Sequence, residues 1–261
     1  MKDHKNILIV DDEEVVVKSV IKIASLEGYS SEGVNDVFTA LQKIEITDFD
    51  LIISDIMMPD ADGFKFLEDL ASKRISTPLI MTTGYTTIEN AVQSLYHGAI
   101  DFIPKPFTLD EMTSVLHRGI RYGELKKEQK SGSAILVPCP AKYYRLGYSS
   151  WMNKEPDGSV LIGATDLFIK TLGQVKNIEM HFPNGILIQA SPSIKIEAED
   201  GLIHQLISPL SGTIIDRNEK LFDEPSLLEK DPYFEGWIYR IIPTEFDYEM
   251  KVLIPCSSDR V

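Results

Sequence analysis

Asp11, Asp12 and Asp55 are three carboxylates that could share one cation, and Thr83 and Lys105 could bind phosphoryl oxygens beside them. Each stands at the end of a short apolar run. Ile7-Leu8-Ile9-Val10 leads into Asp11-Asp12. Leu51-Ile52-Ile53-Ser54 leads into Asp55, with Pro59 and Gly63 following in the pattern D-x-x-M-P-x-x-x-G. Leu79-Ile80-Met81-Thr82 ends at Thr83-Gly84, and Phe102-Ile103-Pro104 ends at Lys105-Pro106. Carboxylates packed together repel one another and call for a hard divalent cation with oxygen ligands. One of them can then act as nucleophile toward a phosphoryl group, while a hydroxyl and an ammonium bind its remaining oxygens.

The elements that would position these residues follow from the alternation of patterns. Strands are expected near 6–10, 29–34, 50–54, 78–82 and 100–103, with helices between and after them at 14–27, 36–45, 63–73, 87–97 and 108–125. Five such units predict an α/β fold with a flavodoxin-like doubly wound parallel sheet, strand order 2-1-3-4-5. In that fold all the polar strand ends meet at the carboxyl edge, where open parallel sheets bind their ligands. Gly28 and Gly98 fall where helix C-termini need capping. An isolated Asp-Asp, Thr-Gly or Lys-Pro is ordinary turn chemistry; the ordered set carries the argument.

That set resembles the receiver domain of two-component response regulators over roughly residues 5–125. The resemblance implies that Asp55 is the phosphoacceptor. It implies that Asp11, Asp12 and Asp55 hold magnesium together with the backbone carbonyl of Met57. Thr83 becomes the switch hydroxyl, Phe102 the switch aromatic and Lys105 the phosphate-binding lysine, followed by a cis bond to Pro106. It also marks the face built from Ala91, Leu95, Tyr96, Phe102, Met112 and Leu116 as the one that rearranges on phosphorylation and mediates dimers.

The 261 residues suggest two domains. The net charge of −14 is shared, with 14 basic and 22 acidic residues in 1–130 and 12 and 18 in 131–261. Neither half offers the basic stripe of a nucleic-acid-binding module. No apolar run reaches membrane-spanning length and no signal peptide is expected, so the expectation is a cytoplasmic protein. Cys139 and Cys256 are far apart and in no metal-ligand spacing, and are expected as free thiols. The stretch Tyr122 to Ser133 begins as a charged helix extension and ends in small polar residues. It places a boundary near 130, with domains at 1–125 and 143–255 and a linker at 126–142.

The second half is rich in short apolar runs and turn signals, which predicts mainly β-structure. Pro156-Asp157-Gly158, Pro183-Asn184-Gly185 and Asp200-Gly201 are the clearest hairpin candidates. Ser149-Ser150-Trp151, Ile162-Gly163-Ala164-Thr165-Asp166, Ser208-Pro209-Leu210-Ser211-Gly212, Asn218-Glu219, Asp231-Pro232-Tyr233 and Gly236-Trp237 then resemble the glycine cleavage system H protein. The resemblance spans roughly 143–255 and implies a barrel-sandwich hybrid fold related to lipoyl and biotinyl carriers. In that family a lysine at a hairpin tip, seven residues before the Ser of Ser-Pro-x-Ser-Gly, carries lipoate. Here that position is Gly201. Lys195 is the nearest lysine, and it lies in the strand pattern Ile194-Lys195-Ile196-Glu197. Glycine supplies the turn and none of the amine chemistry, so no lipoate is expected.

These features predict a cytoplasmic response regulator phosphorylated on Asp55 by a histidine kinase. The H-protein-like domain would be a non-lipoylated output that contacts an unidentified protein partner, and phosphorylation-dependent homodimerisation is a further readout. No catalysis is expected beyond self-phosphotransfer and autodephosphorylation, and neither nucleic acid nor membrane is expected as a partner. The alternatives are a lipoyl carrier on Lys195 under receiver control, or a carrier mimic that docks onto lipoate-handling or glycine-cleavage enzymes.

Overall fold

The structure is a computed structural model and describes residues 5–59, 61–84 and 87–260. It divides into two compact units, Met1–Lys130 and Ser131–Val261.

In the first unit, strands β1 (Asn6–Val10), β2 (Ser30–Val34), β3 (Leu51–Asp55), β4 (Leu79–Thr83) and β5 (Asp101–Pro104) form one parallel sheet. The order is β2-β1-β3-β4-β5, the flavodoxin-like order expected from the alternating pattern. The continuous apolar runs are explained by burial on both faces. Leu8, Val10, Ile52 and Met81 pack with Val37 and Ala40 of α2 (Val37–Ile46) and Phe66, Leu67 and Leu70 of α3 (Gly63–Ser72). On the other face α5 (Leu109–Ser131) approaches so closely that a Cβ on Gly119 would stand 2.7 Å from Leu51 Cδ1 and 2.9 Å from Ile80 Cδ1. α1 (Glu14–Leu26) and α4 (Ile88–Tyr96) complete the set.

Local chemistry starts and stops these helices. The Asp36 carboxylate accepts from the Thr39 amide at 2.7 Å ahead of α2. Thr87 does the same for Asn90 ahead of α4. Thr108 and Glu111 form a reciprocal capping box at the head of α5. Gly28 and Gly98 close α1 and α4 with φ of 80° and 108°, values that side-chain-bearing residues rarely adopt.

α5 runs past the expected end at 125 and takes up the first residues of the stretch read as linker, 126–142. The reason is visible in its charges. Arg121 pairs with Glu124 at 3.2 Å and Glu128 at 2.8 Å, and Lys127 pairs with Asp50 at 3.1 Å. Long charged side chains are good helix formers, and pairs along one face extend a helix that composition alone reads as ending.

The second unit is mainly antiparallel β. A seven-stranded sheet contains β6 (Tyr144–Leu146), β7 (Ser150–Lys154), β8 (Val160–Ala164), β10 (Ile186–Leu187), β13 (Gly212–Arg217), β14 (Trp237–Pro243) and β15 (Ile254–Pro255). The order is β10-β13-β14-β8-β7-β6-β15. A three-stranded sheet holds β9 (Val175–Met180), β11 (Pro192–Ala198) and β12 (Ile203–Ile207) in the order β9-β11-β12. One helix, α6 (Asp166–Leu172), follows β8, capped by the Thr165 hydroxyl, which accepts from the Phe168 amide at 3.1 Å.

The expectation of free thiols is overturned here. Cys139 and Cys256 form a disulfide with Cα atoms 5.6 Å apart, across a sequence separation of 117. Separation along the chain hid the pairing, because β15 closes the sheet beside β6 and returns the C-terminal end to the start of the unit. Both sulfurs pack in a buried cluster with Tyr143, Trp151 and Tyr233.

Candidate functional site

The carboxyl edge of the parallel sheet gathers what the sequence placed at strand ends. Asp11 follows β1, Asp55 closes β3, Thr83 closes β4 and Lys105 follows β5. Carboxylate oxygens of Asp11, Asp12 and Asp55 all lie within 4.8 Å of one another. Asp11 and Asp55 are buried, while Asp12 is exposed. The Lys105 ammonium reaches into this cluster, 2.8 Å from Asp11 Oδ2 and 3.3 Å from Asp55 Oδ2. Its backbone is fixed by the Lys105 amide, which donates to the Thr83 carbonyl at 2.8 Å, and the peptide bond to Pro106 is cis.

Two further residues shape the site. A Cβ on Gly63 would lie 2.6 Å from the Asp55 carbonyl oxygen and 2.8 Å from Ile56 Cα, so only glycine lets the start of α3 close onto the Asp55 loop. That is the physical reason for the last position of the D-x-x-M-P-x-x-x-G pattern. Glu13, which sequence reasoning missed, pairs with Lys105 at 3.1 Å. The signal was a third consecutive acidic residue after Asp11-Asp12, at the turn into α1.

The electrostatics are those of crowded, partly desolvated carboxylates. Burial pushes the Asp55 carboxyl above its ordinary range, against the pull of Lys105. Asp11 is raised for the same first reason, with Asp55 adding like-charge repulsion. Burial works against the Lys105 ammonium, but its bonds to Asp11 and Glu13 outweigh it and the pKa is raised. Asp55 Oδ1 is buried with no hydrogen-bond partner among the described residues. An orphaned carboxylate oxygen beside two more carboxylates fits a hard cation with oxygen ligands.

Thr83 is fully buried, and Phe102 is half-buried against the core on the α2–α3 side of the sheet. Of the face marked for rearrangement, Ala91, Leu95, Met112 and Leu116 are buried and Tyr96 is half exposed. Met57 lies in the turn after β3 and pairs with Asp62 in a two-residue ladder.

In the second unit, Gly201 sits at the exposed tip of the β11–β12 hairpin with φ of 86°. Its amide donates to the Ala198 carbonyl at 3.0 Å, and Asp200 Oδ1 accepts from the Leu202 amide at 2.9 Å. Lys195 is within β11, paired across the sheet with Gln205, and its ammonium is 3.2 Å from Glu179. The hairpin therefore presents backbone and carboxylates at its tip and no amine.

The other motif residues of this unit come together as architecture. Trp151 is fully buried, and its indole donates to the carbonyls of Ala164 at 2.9 Å and Pro232 at 3.0 Å. A Cβ on Gly163 would sit 2.5 Å from the Trp151 ring. The Tyr233 hydroxyl accepts from the Asp166 amide at 3.1 Å. Asn218 donates to the carbonyls of Glu235 and Trp237 at 2.7 and 2.8 Å. These residues satisfy buried backbone groups, which accounts for their types without any reaction.

Comparison with known proteins agrees with both halves. The response regulator receiver domain model matches residues 7–117, and the glycine cleavage H-protein model matches residues 142–257. The regulatory protein AtoC of Escherichia coli (strain K12) is 38% identical over 122 residues, 47% of this chain and 26% of AtoC. Glycine cleavage system H protein 2 of Aquifex aeolicus (strain VF5) is 30% identical over 112 residues, 43% of this chain and 69% of that protein. A receiver domain protein (CheY-like) from Methanospirillum hungatei JF-1 has a solved structure 35% identical, with a TM-score of 0.45, covering 48% of this chain and 99% of that one. The chain thus spans about a quarter of the length of AtoC.

Proposed function

As the receiver domain model matches residues 7–117 and the second unit belongs to the glycine cleavage H-protein family, we propose that the chain is a two-component signalling protein. A histidine kinase passes a phosphoryl group to Asp55, and a non-lipoylated H-protein-like domain is the output. The observation that supports this most directly is Asp55 itself, a buried carboxylate at a strand end with one oxygen orphaned, facing Asp11, Asp12 and Lys105.

The roles of the side chains follow from where they stand. An Asp55 carboxylate oxygen attacks phosphorus, the O–P bond forms, and the N–P bond to the donor histidine breaks. Lys105 is at hand to pair with an oxygen of the transferred group instead of the Asp55 carboxylate. Thr83, at the end of β4, offers its hydroxyl to another oxygen, and its inward movement draws Phe102 toward the core. Asp11, Asp12, Asp55 and the Met57 carbonyl would hold magnesium, the ion that receiver domains bind in such an acidic cluster. Magnesium there would neutralise crowded carboxylates and draw charge from the phosphoryl oxygens. We assign no catalysis beyond this self-phosphotransfer and autodephosphorylation.

For the output we favour capture of a protein partner, with homodimerisation of the receiver as a further readout, in the cytoplasm and without nucleic acid or membrane. Among the described residues no helix is long and apolar enough to cross a membrane. The carrier alternative on Lys195 loses support, because that lysine is a mid-strand residue already paired with Glu179. The carrier-mimic alternative rested on retained motifs, and those residues hold the fold.

The test is intact mass after incubation with magnesium and acetyl phosphate, alongside Asp55→Asn. A phosphoryl adduct on the wild type alone is expected. An unmodified wild type, or equal modification of the variant, would overturn the assignment of Asp55.

A further inference from the structure

Residues 132–143 connect the last helix of the first unit to the first strand of the second. Most of this strap has no regular structure, yet it is held at three successive points. The Ile135 carbonyl accepts from the Lys170 ammonium. The Val137 amide donates to the buried Asp166 carboxylate at 2.7 Å. Cys139 is bonded to Cys256 near the end of the described chain. The apolar side chains of the strap do not hold it, since Ile135 is 85% and Val137 44% exposed. Of these three anchors, only the covalent bond changes with redox state.

We propose that Cys139–Cys256 is a reversible thiol–disulfide pair that fixes or frees the strap between the two domains. Disulfides are rare in reducing compartments, and those that occur there are mostly transient and redox-sensing. In the cytoplasm proposed above, the reduced dithiol is the resting form. Oxidation by a low-molecular-weight disulfide such as oxidised glutathione balances in two steps. One thiol loses its proton and attacks the small disulfide, giving a mixed disulfide and one released thiolate. The second thiol loses its proton and attacks the mixed disulfide, closing Cys139–Cys256 and releasing the second thiolate. The protein pair is oxidised by two electrons and one small disulfide is reduced to two thiols.

The consequence lies in tether length. With the strap fixed from Ile135 onward, only residues 132–134 are free between α5 and the second unit. With the disulfide open, the Ile135 and Val137 contacts hold the strap alone, and whenever both open, residues 132–143 are free up to β6. The reach of a flexible chain grows as the square root of its length, so release about doubles the reach of the second domain from the receiver. A signal passed between the domains is then weakened or strengthened by the oxidant without any change at Asp55.

The experiment uses the full chain, incubated with oxidised glutathione or with dithiothreitol. Thiols are alkylated under denaturing conditions and counted by intact mass, and amide hydrogen exchange is followed across residues 132–139. The expected result is no alkylated cysteine after oxidised glutathione and two after dithiothreitol. Exchange at Val137 should be at least tenfold slower in the oxidised form. Cys256→Ser should exchange like the reduced wild type under both conditions. Two alkylated cysteines after oxidised glutathione would overturn the proposal. So would equal exchange in the two redox states of the wild type, a comparison that needs no variant to fold.

Discussion

The carboxyl edge of the first unit and the hairpin tip of the second are both places where a covalent group would be attached, and they differ in what survives. At the carboxyl edge every reactive type is present, and it is held in strain-prone electrostatics: Asp11 and Asp55 are buried side by side and Lys105 is shared between them. At the hairpin tip the backbone geometry survives, with a tight turn and positive φ, and the reactive amine is absent. A site that must do chemistry keeps costly charges together. A site that keeps only its turn costs the fold almost nothing. On the function proposed above, the first unit serves reactivity and the second serves shape.

If shape is what the second unit preserves, its architectural motif should be the place where it breaks most easily. Trp151→Ala would empty the core beside Gly163 and strand the carbonyls of Ala164 and Pro232. The expected loss is about 3–5 kcal/mol. Two calorimetric transitions should be resolved, with the second unit's falling and the first unit's holding. A shared drop in both would mean the units do not melt independently and the comparison between them is blurred.

The next effect probes the first unit's geometry. Gly63→Ala drives a Cβ into the backbone of Asp55 and Ile56. Backbone cannot rotate away as a side chain can, so a destabilisation of about 1–3 kcal/mol is expected. Magnesium affinity, measured by titration calorimetry, should fall with it. Unchanged magnesium binding in a folded Gly63→Ala protein would show that the Asp55 loop is not set by this contact.

Charge crowding gives a smaller effect of opposite sign. Asp55→Asn removes one of two buried like charges while Asp11 keeps Lys105 at 2.8 Å. Without magnesium the variant should therefore be more stable than the wild type at neutral pH, by on the order of 1–2 kcal/mol. The Asp55 pKa is raised in the folded state. A raised carboxylate pKa means that the folded state binds the proton more tightly. Its ionisation thus costs stability above the folded pKa, and the cost disappears as pH falls toward the unfolded value. The advantage of the variant should shrink on acidification and also when magnesium is added to both proteins. Chemical denaturation at several pH values reads it, and an advantage independent of pH would contradict the charge argument.

How much of this was legible in the sequence depended on which kind of interaction fixed each feature. The parallel sheet and its edge were readable, because buried strands must be apolar runs and each run ended in its functional residue, as Ile53-Ser54-Asp55 does. The hairpin at Asp200-Gly201 was readable from turn chemistry. The acidic run to Glu13 was visible but its part was not, because that depends on where Lys105 arrives from the far end of the sheet. The charged helix extension from Tyr122 was readable, but the end of α5 was set short at 125, since Arg121 with Glu124 and Glu128 reads equally well as charged linker or helix face. The Cys139–Cys256 bond was hidden for the same reason as Glu13. A contact spanning 117 residues has no local signature.

The smallest stability effect tests the comparison at its sharpest point. Gly201→Lys restores an amine at the hairpin tip. The substituted residue must adopt φ near 86°, which costs a side-chain-bearing residue about 1 kcal/mol, and a Cβ there meets no other atom within 4 Å. The second unit should therefore fold with only a slightly lower melting temperature. If shape is preserved and only the amine is missing, a lipoyl ligase with lipoate should modify this variant and leave the wild type untouched, as read by intact mass. A folded variant that stays unmodified would mean that the flanking Glu199 and Asp200 have also moved the surface away from what a ligase accepts. Modification of the wild type, which could only fall on a lysine such as Lys195, would dissolve the contrast altogether. A carrier would then stand beside the receiver, and the paired Lys195–Glu179 face would be its working surface.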